Sequence, residues 1–388
     1  MIDEALKNNA GIKAATLEVD YTKSLKRTAT DIGKTNVSLM LGQYNSLNED
    51  NHILISQNIP FPTVFSSQAK LGNAQIKGSE LMLAVTKNEL VSQVKSAYHH
   101  LEFLQSERDL LLTQDSIYSA FLKTAQLRFK TGESNLLEKV SAETQLMEIK
   151  NLLSQNQSNI SIYQSQLQAL MNSKSEVQIA QNNVTKLVPA TAGIGISADS
   201  TSVNQNPYLN YLKQQIEISN KRKKIEAAKV LPDFTIGYFS QTLVGYQNPT
   251  GTDQYFGADK RFTGMQLGLS IPLWFVPQTA KVKAAGINQQ VVQSNYEQSK
   301  ATIQGEYSEA VQEYLKNTNT LEYYEKSALP NADLIIKQAD KGFKSGEIGY
   351  VEYLQAIKSA LTIKTNYLQS LNGYNQSVVR LDYLLGKK

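Results

Sequence analysis

The chain has 388 residues, of which 41% are hydrophobic, and its formal net charge of +4 is spread along the sequence. This is the composition of a folded protein, and the absence of a block of Lys and Arg interleaved with aromatic residues disfavours nucleic acid as a partner. Because the sequence contains no cysteine, disulfides, thiol catalysis and cysteine-bound zinc are excluded.

Neither a membrane helix nor a leader sequence is evident in the residues. No apolar run reaches the roughly 18 residues that a transmembrane helix needs. The first ten residues, MIDEALKNNA, lack the basic and apolar regions of a signal peptide. If the protein is exported, we expect this sequence to be a mature or truncated form, or a domain of a larger chain.

The two halves of the sequence repeat one another. Three matched blocks occur in the same order in each half: NNAGI (8–12) with QNPYL (205–209), VSLML (37–41) with FTIGY (234–238), and NIPF (58–61) with SIPL (270–273). A fourth match pairs FKTGES with FKSGEI. Matches in a constant order indicate an internal duplication. We predict one interwoven unit built from repeats 1–190 and 191–388.

Each repeat reads as a short helix, two strands and two long helices in chain order. For the first repeat the pattern predicts strands at about 36–45 and 52–60 and helices at about 64–130 and 134–172. For the second it predicts strands at about 233–245 and 262–273 and helices at about 278–344 and 348–386. A polar stretch from about 172 to 206 lies between the repeats, and the second repeat has an insertion of roughly 15 residues between its strands.

The strands alternate between apolar residues and smaller or polar ones, as Met265, Leu267 and Leu269 illustrate. Each strand is about 10 residues long, which is the length that a tilted strand needs to cross a bilayer. Aromatic residues expected at the two membrane interfaces are Tyr238, Phe239, Tyr246, Phe262, Trp274 and Phe275. A soluble, half-buried sheet produces the same alternation, so the strands alone leave both interpretations open.

The long helices carry a coiled-coil pattern. Apolar residues follow heptad spacing from Leu90 to Phe129, with breaks only at Arg108 and Asp115. A helix of some 66 residues would extend about 100 Å, which is longer than a globular core requires. Pro330 lies inside the corresponding helix of the second repeat and predicts a kink there.

Glycines at matching places divide the helices of each repeat. Gly132 and Gly346 are expected to end a helix in the left-handed conformation, and apolar periodicity resumes at once after each of them. The sequence therefore predicts two antiparallel helical hairpins. Because four strands cannot close a barrel and open sheet edges are not tolerated in lipid, a membrane interpretation requires an oligomer, and three chains would supply twelve strands.

Taken together, these residues resemble the TolC-like outer-membrane efflux factor family. The resemblance covers nearly the whole chain and includes the openings at Asn9 and Asn206, the strand-to-helix prolines Pro60 and Pro272, and the paired hairpin tips. The amino-acid sequences of the tips are most similar to those of the heavy-metal branch of CusC or CzcC type, which includes modules fused behind a CusA-like pump.

The resemblance implies a mainly helical fold with a β-barrel portion. Three chains would form a 12-stranded barrel in the bacterial outer membrane and a 12-helix tunnel in the periplasm. The expected function is a passive exit duct of a tripartite RND-type efflux system, most similar to exporters of heavy-metal cations. The implied partners are a homotrimer, outer-membrane lipid, a periplasmic adaptor and an inner-membrane pump. The family uses no cofactor and is not an enzyme.

Family resemblance also assigns roles to residues of the tips. The adaptor-contacting residues would be Arg128, Phe129, Lys130, Gly132, Glu133 and Ser134 in the first tip and Phe343, Lys344, Gly346, Glu347 and Ile348 in the second. Glu138 and Glu352 fall at the acidic position of the periplasmic aperture, where a trimer would form two rings of three carboxylates. Family members often carry a further acid and an arginine, but Ser141, Gln355 and Ile348 occupy those positions here. Solvated helix surface is the alternative interpretation of both glutamates.

Other functions have weaker support in the sequence. His99 and His100 are adjacent, and neighbouring helical residues point about 100° apart, so they cannot jointly chelate one metal ion. No catalytic triad, phosphate-binding loop or dinucleotide fingerprint occurs. Two alternatives remain open, namely a multidrug or type I secretion duct with the same architecture and a soluble coiled-coil scaffold or adaptor.

Overall fold

A computed structural model of the chain describes residues 1–175, 177, 179, 184–189, 200–248 and 250–387. The chain divides into two compact units. Unit 1 comprises Met1–Ala15, Leu83–Asn210 and Ser299–Lys388, and unit 2 comprises Thr16–Met82 and Tyr211–Gln298. No described helix is both long enough and apolar enough to span a membrane.

Helices make up most of the described chain. They are α1 (Ile2–Asn8), α2 (Ala10–Leu25), α3 (Pro62–Lys130), α4 (Leu136–Met171), α5 (Pro207–Ala228), α6 (Phe275–Tyr323), α7 (Leu329–Ser345) and α8 (Tyr350–Leu385). Short 3-10 helices span Lys26–Thr30 and Ser200–Gln205, and a π-helical turn spans Tyr324–Ala328. The helix α3 runs without interruption for 69 residues.

Unit 2 contains the sheets. The strands are β1 (Asn36–Gly42), β2 (Asp50–Ile59), β3 (Asp233–Thr242), β4 (Gly245–Gln247), β5 (Gln254–Phe256) and β6 (Arg261–Ser270). Four of them form an antiparallel sheet in the order β1-β2-β3-β6, and β4 pairs with β5 in a small hairpin. The strands β1 and β6 are therefore edges that have no strand partner among the described residues. The predicted insertion contains the β4–β5 hairpin.

One face of the four-stranded sheet is apolar and exposed. Register places Val37 opposite Ile55, Ile55 opposite Tyr238 and Tyr238 opposite Met265, so these side chains share a face. Exposed fractions are 65% for Val37 and 76% for Met265. The opposite face of β3 and β6 carries glycines at 237, 264 and 268. A soluble half-buried sheet would cover its apolar face, whereas this chain leaves it bare.

Unit 1 buries its apolar seams in packed helical cores. The helices α1, α3 and α4 contribute Ala5, Leu101 and Leu167, each fully buried. Burying a leucine side chain of this kind contributes roughly 1.5–3 kcal/mol. A second core joins α3, α4, α7 and α8 and includes Phe121 and Ile357. The heptad pattern of the sequence thus corresponds to helix-to-helix contact.

Each repeat has an equivalent asparagine near its start, Asn9 before α2 and Asn206 before α5. The Asn9 side chain accepts hydrogen bonds from the amides of residues 11 and 12 and donates to the Leu170 carbonyl at 2.8 Å. Asn206 accepts from the amides of residues 208 and 209 and donates to the Leu384 carbonyl at 2.8 Å. Each asparagine therefore caps a short helix and ties it to the last turn of a long one.

Several predicted boundaries change in the structure. The first strand ends at Gly42, whose φ of +125° departs from strand conformation, and the third ends at Thr242. The helix predicted at about 278–344 is divided into α6 and α7 by the π-helical turn. Pro330 explains the division, because a proline ring clashes with the carbonyl four residues earlier, and that residue is Lys326 within the turn.

Much of the polar stretch predicted between the repeats lies outside the described residues. Residues 184–189 are described and pack on unit 1 of the chain. The Asn375 side chain accepts from the Leu187 amide at 2.9 Å and donates to the Thr185 carbonyl at 2.8 Å. Lys186 Nζ lies 2.9 Å from a carboxylate oxygen of Glu325 in the π-helical turn. These contacts hold the short segment across α8 and the division between α6 and α7.

Candidate functional site

The two hairpin tips have the same backbone geometry. Gly132 and Gly346 adopt φ values of +79° and +76°, the left-handed conformation that was predicted for them. In the first tip the Arg128 carbonyl accepts from the amides of residues 133 and 134, and in the second the Gly342 carbonyl accepts from those of residues 347 and 348. These are helix-ending hydrogen bonds of the Schellman type. Glycine is required at both turns because other residues rarely adopt this conformation.

The first tip carries an ion pair at its base. Asn135 caps α4 by accepting from the Glu138 amide at 3.0 Å. The Glu138 carboxylate lies 3.5 Å from Arg128 Nη1, and the exposed fractions of the two side chains are 12% and 33%. Next to this pair, Lys139 Nζ lies 5.6 Å from the centre of the Phe129 ring. The predicted aperture carboxylate Glu138 is therefore half-buried and already paired with a cation of its own chain.

The second tip differs in the surroundings of its glutamate, Glu352. The Glu352 carboxylate accepts from the Gly349 amide at 3.0 Å and thereby caps the start of α8. Its side chain is exposed, and it has no ion-pair partner in the part of the chain that the structure describes. Ile348 lies against Gly342, where a β-carbon would come within 3.4 Å of it. Of the two predicted aperture carboxylates, Glu352 is the one open to solvent.

The remaining predicted tip residues are mostly on the surface. Lys130, Gly132, Glu133, Lys344, Gly346 and Glu347 are exposed, while Ser134, Phe343 and Ile348 are partly buried. The exposed set contains two lysines and two glutamates at matched places in the two tips. A partner protein would therefore meet a surface of mixed charge around two turns.

A cluster of aromatic side chains lies beneath the tips and was not predicted from the sequence. The Phe343 and Tyr353 rings are stacked with centroids 4.6 Å apart, and Phe121 meets the Tyr350 and Tyr353 rings edge-on at 5.8 and 5.0 Å. The Tyr353 hydroxyl donates to the Asp340 carboxylate. This cluster joins the α3–α4 hairpin to the α7–α8 hairpin. The sequence contains 20 tyrosines against 11 phenylalanines, and this excess is the signal that could have indicated the cluster.

Tyr350 occupies an unusual position in the aromatic cluster. Its side chain is 5% exposed, and its hydroxyl oxygen is buried and has no hydrogen-bond partner among the described residues. Burial raises the pKa of Tyr350 to about 12, and the negative charge of Glu138 adds to that effect while Arg128 opposes it. Tyr350 thus stays neutral near the ion pair of the first tip.

The predicted interface aromatics do not all share one face. Tyr238 lies on the exposed apolar face of the sheet, and Tyr246 and Trp274 are 74% and 84% exposed beyond opposite ends of its strands. Phe275 follows Trp274 and is also exposed. Strand alternation places Phe239 and Phe262 on the opposite, glycine-bearing face. A β-carbon at Gly264 would come within 2.6 Å of the Phe239 ring, so this ring lies directly over the glycine.

The adjacent histidines have separate surroundings. His99 Nδ1 lies 2.7 Å from Glu102 Oε2, whereas the His100 ring packs on Tyr163 with centroids 4.2 Å apart. Among the described residues, no group of three or more His, Cys, Asp or Glu side chains is arranged to hold a metal ion.

Comparison with known proteins gives consistent results. Residues 200–387 match the family described as outer membrane efflux protein. Crystal structures of CusC, which address its folding and transmembrane channel formation, share 18% identity with a TM-score of 0.79, covering 100% of this chain and 91% of that one. The outer-membrane channel OprN shares 14% identity with a TM-score of 0.82, covering 100% of this chain and 89% of OprN.

A third solved structure has the same fold. The CmeC outer membrane channel of Campylobacter jejuni shares 18% identity with a TM-score of 0.76, covering 99% of this chain and 84% of CmeC. No curated protein sequence matches the chain. At these identities the structural likeness establishes the fold, and the family match is confined to residues 200–387. The whole chain therefore has the fold of channels such as CusC, OprN and CmeC, and residues 200–387 match the outer membrane efflux protein family.

Proposed function

We propose that the chain is the exit duct of a tripartite RND-type efflux system and works as a homotrimer. Members of its family are passive channels and not enzymes. The observation that carries the proposal is the four-stranded sheet, which combines an exposed apolar face with two edge strands, β1 and β6, that lack a strand partner within the described chain. In lipid such edges must be paired, and pairing β6 of one chain with β1 of the next closes a barrel.

Three copies give the arrangement that fits the family fold. They would supply twelve strands for a barrel and the helices of a twelve-helix tunnel, with the helices on the periplasmic side. Extraction and size measurement test this proposal. The protein should require detergent for extraction and should have the mass of a trimer by light scattering or native mass spectrometry. A monomer or dimer that is soluble without detergent would support a coiled-coil scaffold instead and would refute the duct.

The hairpin tips are proposed to dock on the periplasmic adaptor. Both tips present exposed charged residues around a left-handed glycine turn, so a change in turn shape would displace the whole surface. Replacing Gly346 by Val should reduce co-purification with the adaptor at least several-fold while the barrel and trimer remain intact. The control is Gly305→Ala in α6, where a β-carbon would have no heavy atom of the described residues within 4 Å. Unchanged adaptor capture by G346V would remove the tips from the interface.

Glu352 is proposed to form the cation-attracting ring of the aperture. In a trimer its exposed carboxylate would be repeated three times around the axis. Glu138 contributes less to such a ring, because Arg128 lies 3.5 Å from it and offsets its charge. The unequal environments of these two glutamates make the proposal testable by comparing matched charge-neutralising variants.

Heavy-metal cations are the proposed substrate class. The support for this is the likeness of the tips to the heavy-metal branch and of the fold to CusC. Growth of a strain that lacks this protein, with and without complementation, should be measured across copper, silver, zinc, cobalt and cadmium alongside dyes and antibiotics. Selective metal sensitivity is expected. Sensitivity to lipophilic drugs with unaltered metal tolerance would replace this substrate class with a multidrug one and leave the duct in place.

A further inference from the structure

Charge is distributed unequally between the two ends of the four-stranded sheet. At the loop end, the connections β1–β2 and β3–β6 and their adjoining strand ends carry four acids, Glu49, Asp50, Asp253 and Asp259, against the bases Lys260 and Arg261. At the end where the strands join helices, bases predominate. The exposed bases Lys26, Arg27, Lys34, Lys223, Lys281 and Lys283 define a surface that we call the cationic collar.

The collar lies just beyond the apolar band. Outward-facing apolar side chains continue past β6 through Leu273 and Trp274 to Val276, which are 76%, 84% and 79% exposed. Lys281 follows Val276 by five helical residues and Lys283 by seven, so they lie about 8–10 Å further along the axis of α6. The polar headgroup region of a bilayer extends about 5–8 Å beyond its hydrocarbon core, and a lysine side chain can reach back toward it.

Two members of the collar, Lys223 and Lys283, lie on the neighbouring helices α5 and α6. A recess of about 600 Å³ between these helices is lined by Lys223, Lys283, Gly286 and Gln290, among others. A β-carbon at Gly286 would lie 3.7 Å from Lys223 Nζ, so the absence of a side chain there leaves room beside the ammonium group. Two lysines and the side-chain amides of Gln289 and Gln290 line one open recess, and these donors suit an anionic group.

Acidic residues at the same end of the sheet are already engaged. Asp31 accepts from the Gly33 amide at 2.9 Å, Asp233 accepts from the Asn58 amide group at 3.4 Å, and Glu226 pairs with Lys229 at 2.9 Å. None of the six collar residues has an ion-pair partner within the described ranges of the chain. The collar therefore presents net positive charge at the height of the headgroups.

We propose that the cationic collar binds the phosphate headgroups of anionic phospholipids in the membrane leaflet next to the helices. The inference rests on the proposed function insofar as that function places the sheet in a bilayer. Anionic headgroups attract each nearby basic residue, and each one strengthens binding by roughly fivefold. Binding of this kind would hold the barrel at a fixed height and would select lipid by charge.

Native mass spectrometry of the detergent-purified protein tests the proposal. Wild-type protein is incubated with equal amounts of phosphatidylglycerol and phosphatidylcholine, and the ratio of the two retained lipids is measured. We expect at least fivefold enrichment of phosphatidylglycerol. The double variant Lys281→Gln/Lys283→Gln should reduce the enrichment several-fold, and adding Lys26→Gln and Arg27→Gln should bring the ratio close to one.

A matched control makes the same charge change elsewhere. Lys123→Gln/Lys358→Gln removes two exposed lysines in the helices near the hairpin tips and should retain the wild-type lipid ratio. Equal retention of both lipids by a wild-type trimer, or undiminished enrichment in the collar variants, would overturn the proposal. Failure of the wild type to form a detergent-dependent trimer would instead count against the duct itself, so the two failures are distinguishable.

Discussion

Replacing Asn206 by Ala should destabilise the protein more than any equivalent change at the start of the first repeat. The Asn206 side chain is 4% exposed and makes three hydrogen bonds, two as acceptor from the first amides of α5 and one as donor to the Leu384 carbonyl. Loss of the helix cap costs about 1 kcal/mol. Leaving the buried Leu384 carbonyl without a donor costs about 1–3 kcal/mol more. The expected loss in the free energy of unfolding is about 2–4 kcal/mol.

The duplication supplies a matched control. Asn9 makes the same three kinds of hydrogen bond, but both Asn9 and its partner Leu170 are only partly buried. Water can therefore replace the lost donor, and Asn9→Ala should cost only about 1–2 kcal/mol. A second variant, Asn206→Ser, keeps a capping oxygen but is too short to reach α8, so it should recover about 1 kcal/mol relative to alanine.

Urea unfolding in detergent, followed by far-ultraviolet circular dichroism, measures these differences. The expected order of stability is wild type, Asn9→Ala, Asn206→Ser and Asn206→Ala, with similar slopes against urea concentration. Equal losses for the two alanine variants would show that burial does not set the strength of this interaction. A serine variant no more stable than the alanine variant would show that the cap contributes nothing.

Three further outcomes follow from the tips. In planar bilayers, Glu352→Gln should lower the cation selectivity of single channels more than Glu138→Gln, and equal effects of the two changes would contradict the role assigned to the Arg128 ion pair. Because the pKa of Tyr350 rises from 10.0 to about 12 in the folded protein, the stability this group contributes is complete below pH 10 and is lost as pH rises toward 12. Tyr350→Phe should remove that loss and leave neutral-pH stability unchanged or slightly higher, as measured by urea unfolding at several pH values. Gly132→Ala should cost about 1–2 kcal/mol, since it places a β-carbon in the left-handed conformation, and a thermal melt unchanged from wild type would argue that the turn can relax.

Local chemistry explains what could be predicted from the sequence. The turns at Gly132 and Gly346 follow from backbone conformation, which depends on one residue and its immediate neighbours. The exposed apolar face follows from period-2 alternation, which also assigns Val37 and Met265 to it once the register is known. The glycine turns and the alternation within each strand are local, whereas the register that joins Val37 and Met265 on one face also needs the pairing of β2 with β3.

Features that depend on how two helices meet across a turn were not predicted. The Arg128–Glu138 ion pair and the Phe343–Tyr353 stack require two helices to meet at a particular height, which neither periodicity nor composition specifies. The sheet face on which Phe239 and Phe262 lie was not predicted either. Gly264, which pairs with Phe239, was the signal that could have indicated it.

The π-helical turn shows where the two repeats of the predicted duplication diverge in structure. The first repeat keeps a continuous 69-residue helix, whereas the second has Pro330 and divides its equivalent helix after Tyr323. The division coincides with the ion pair from Lys186 to Glu325, so the segment 184–189 contacts the helix at its π-helical turn. Asn375 fixes that segment from the other side through two hydrogen bonds and is completely buried. The ion pair and the two hydrogen bonds thus support the helix interruption from outside the helix.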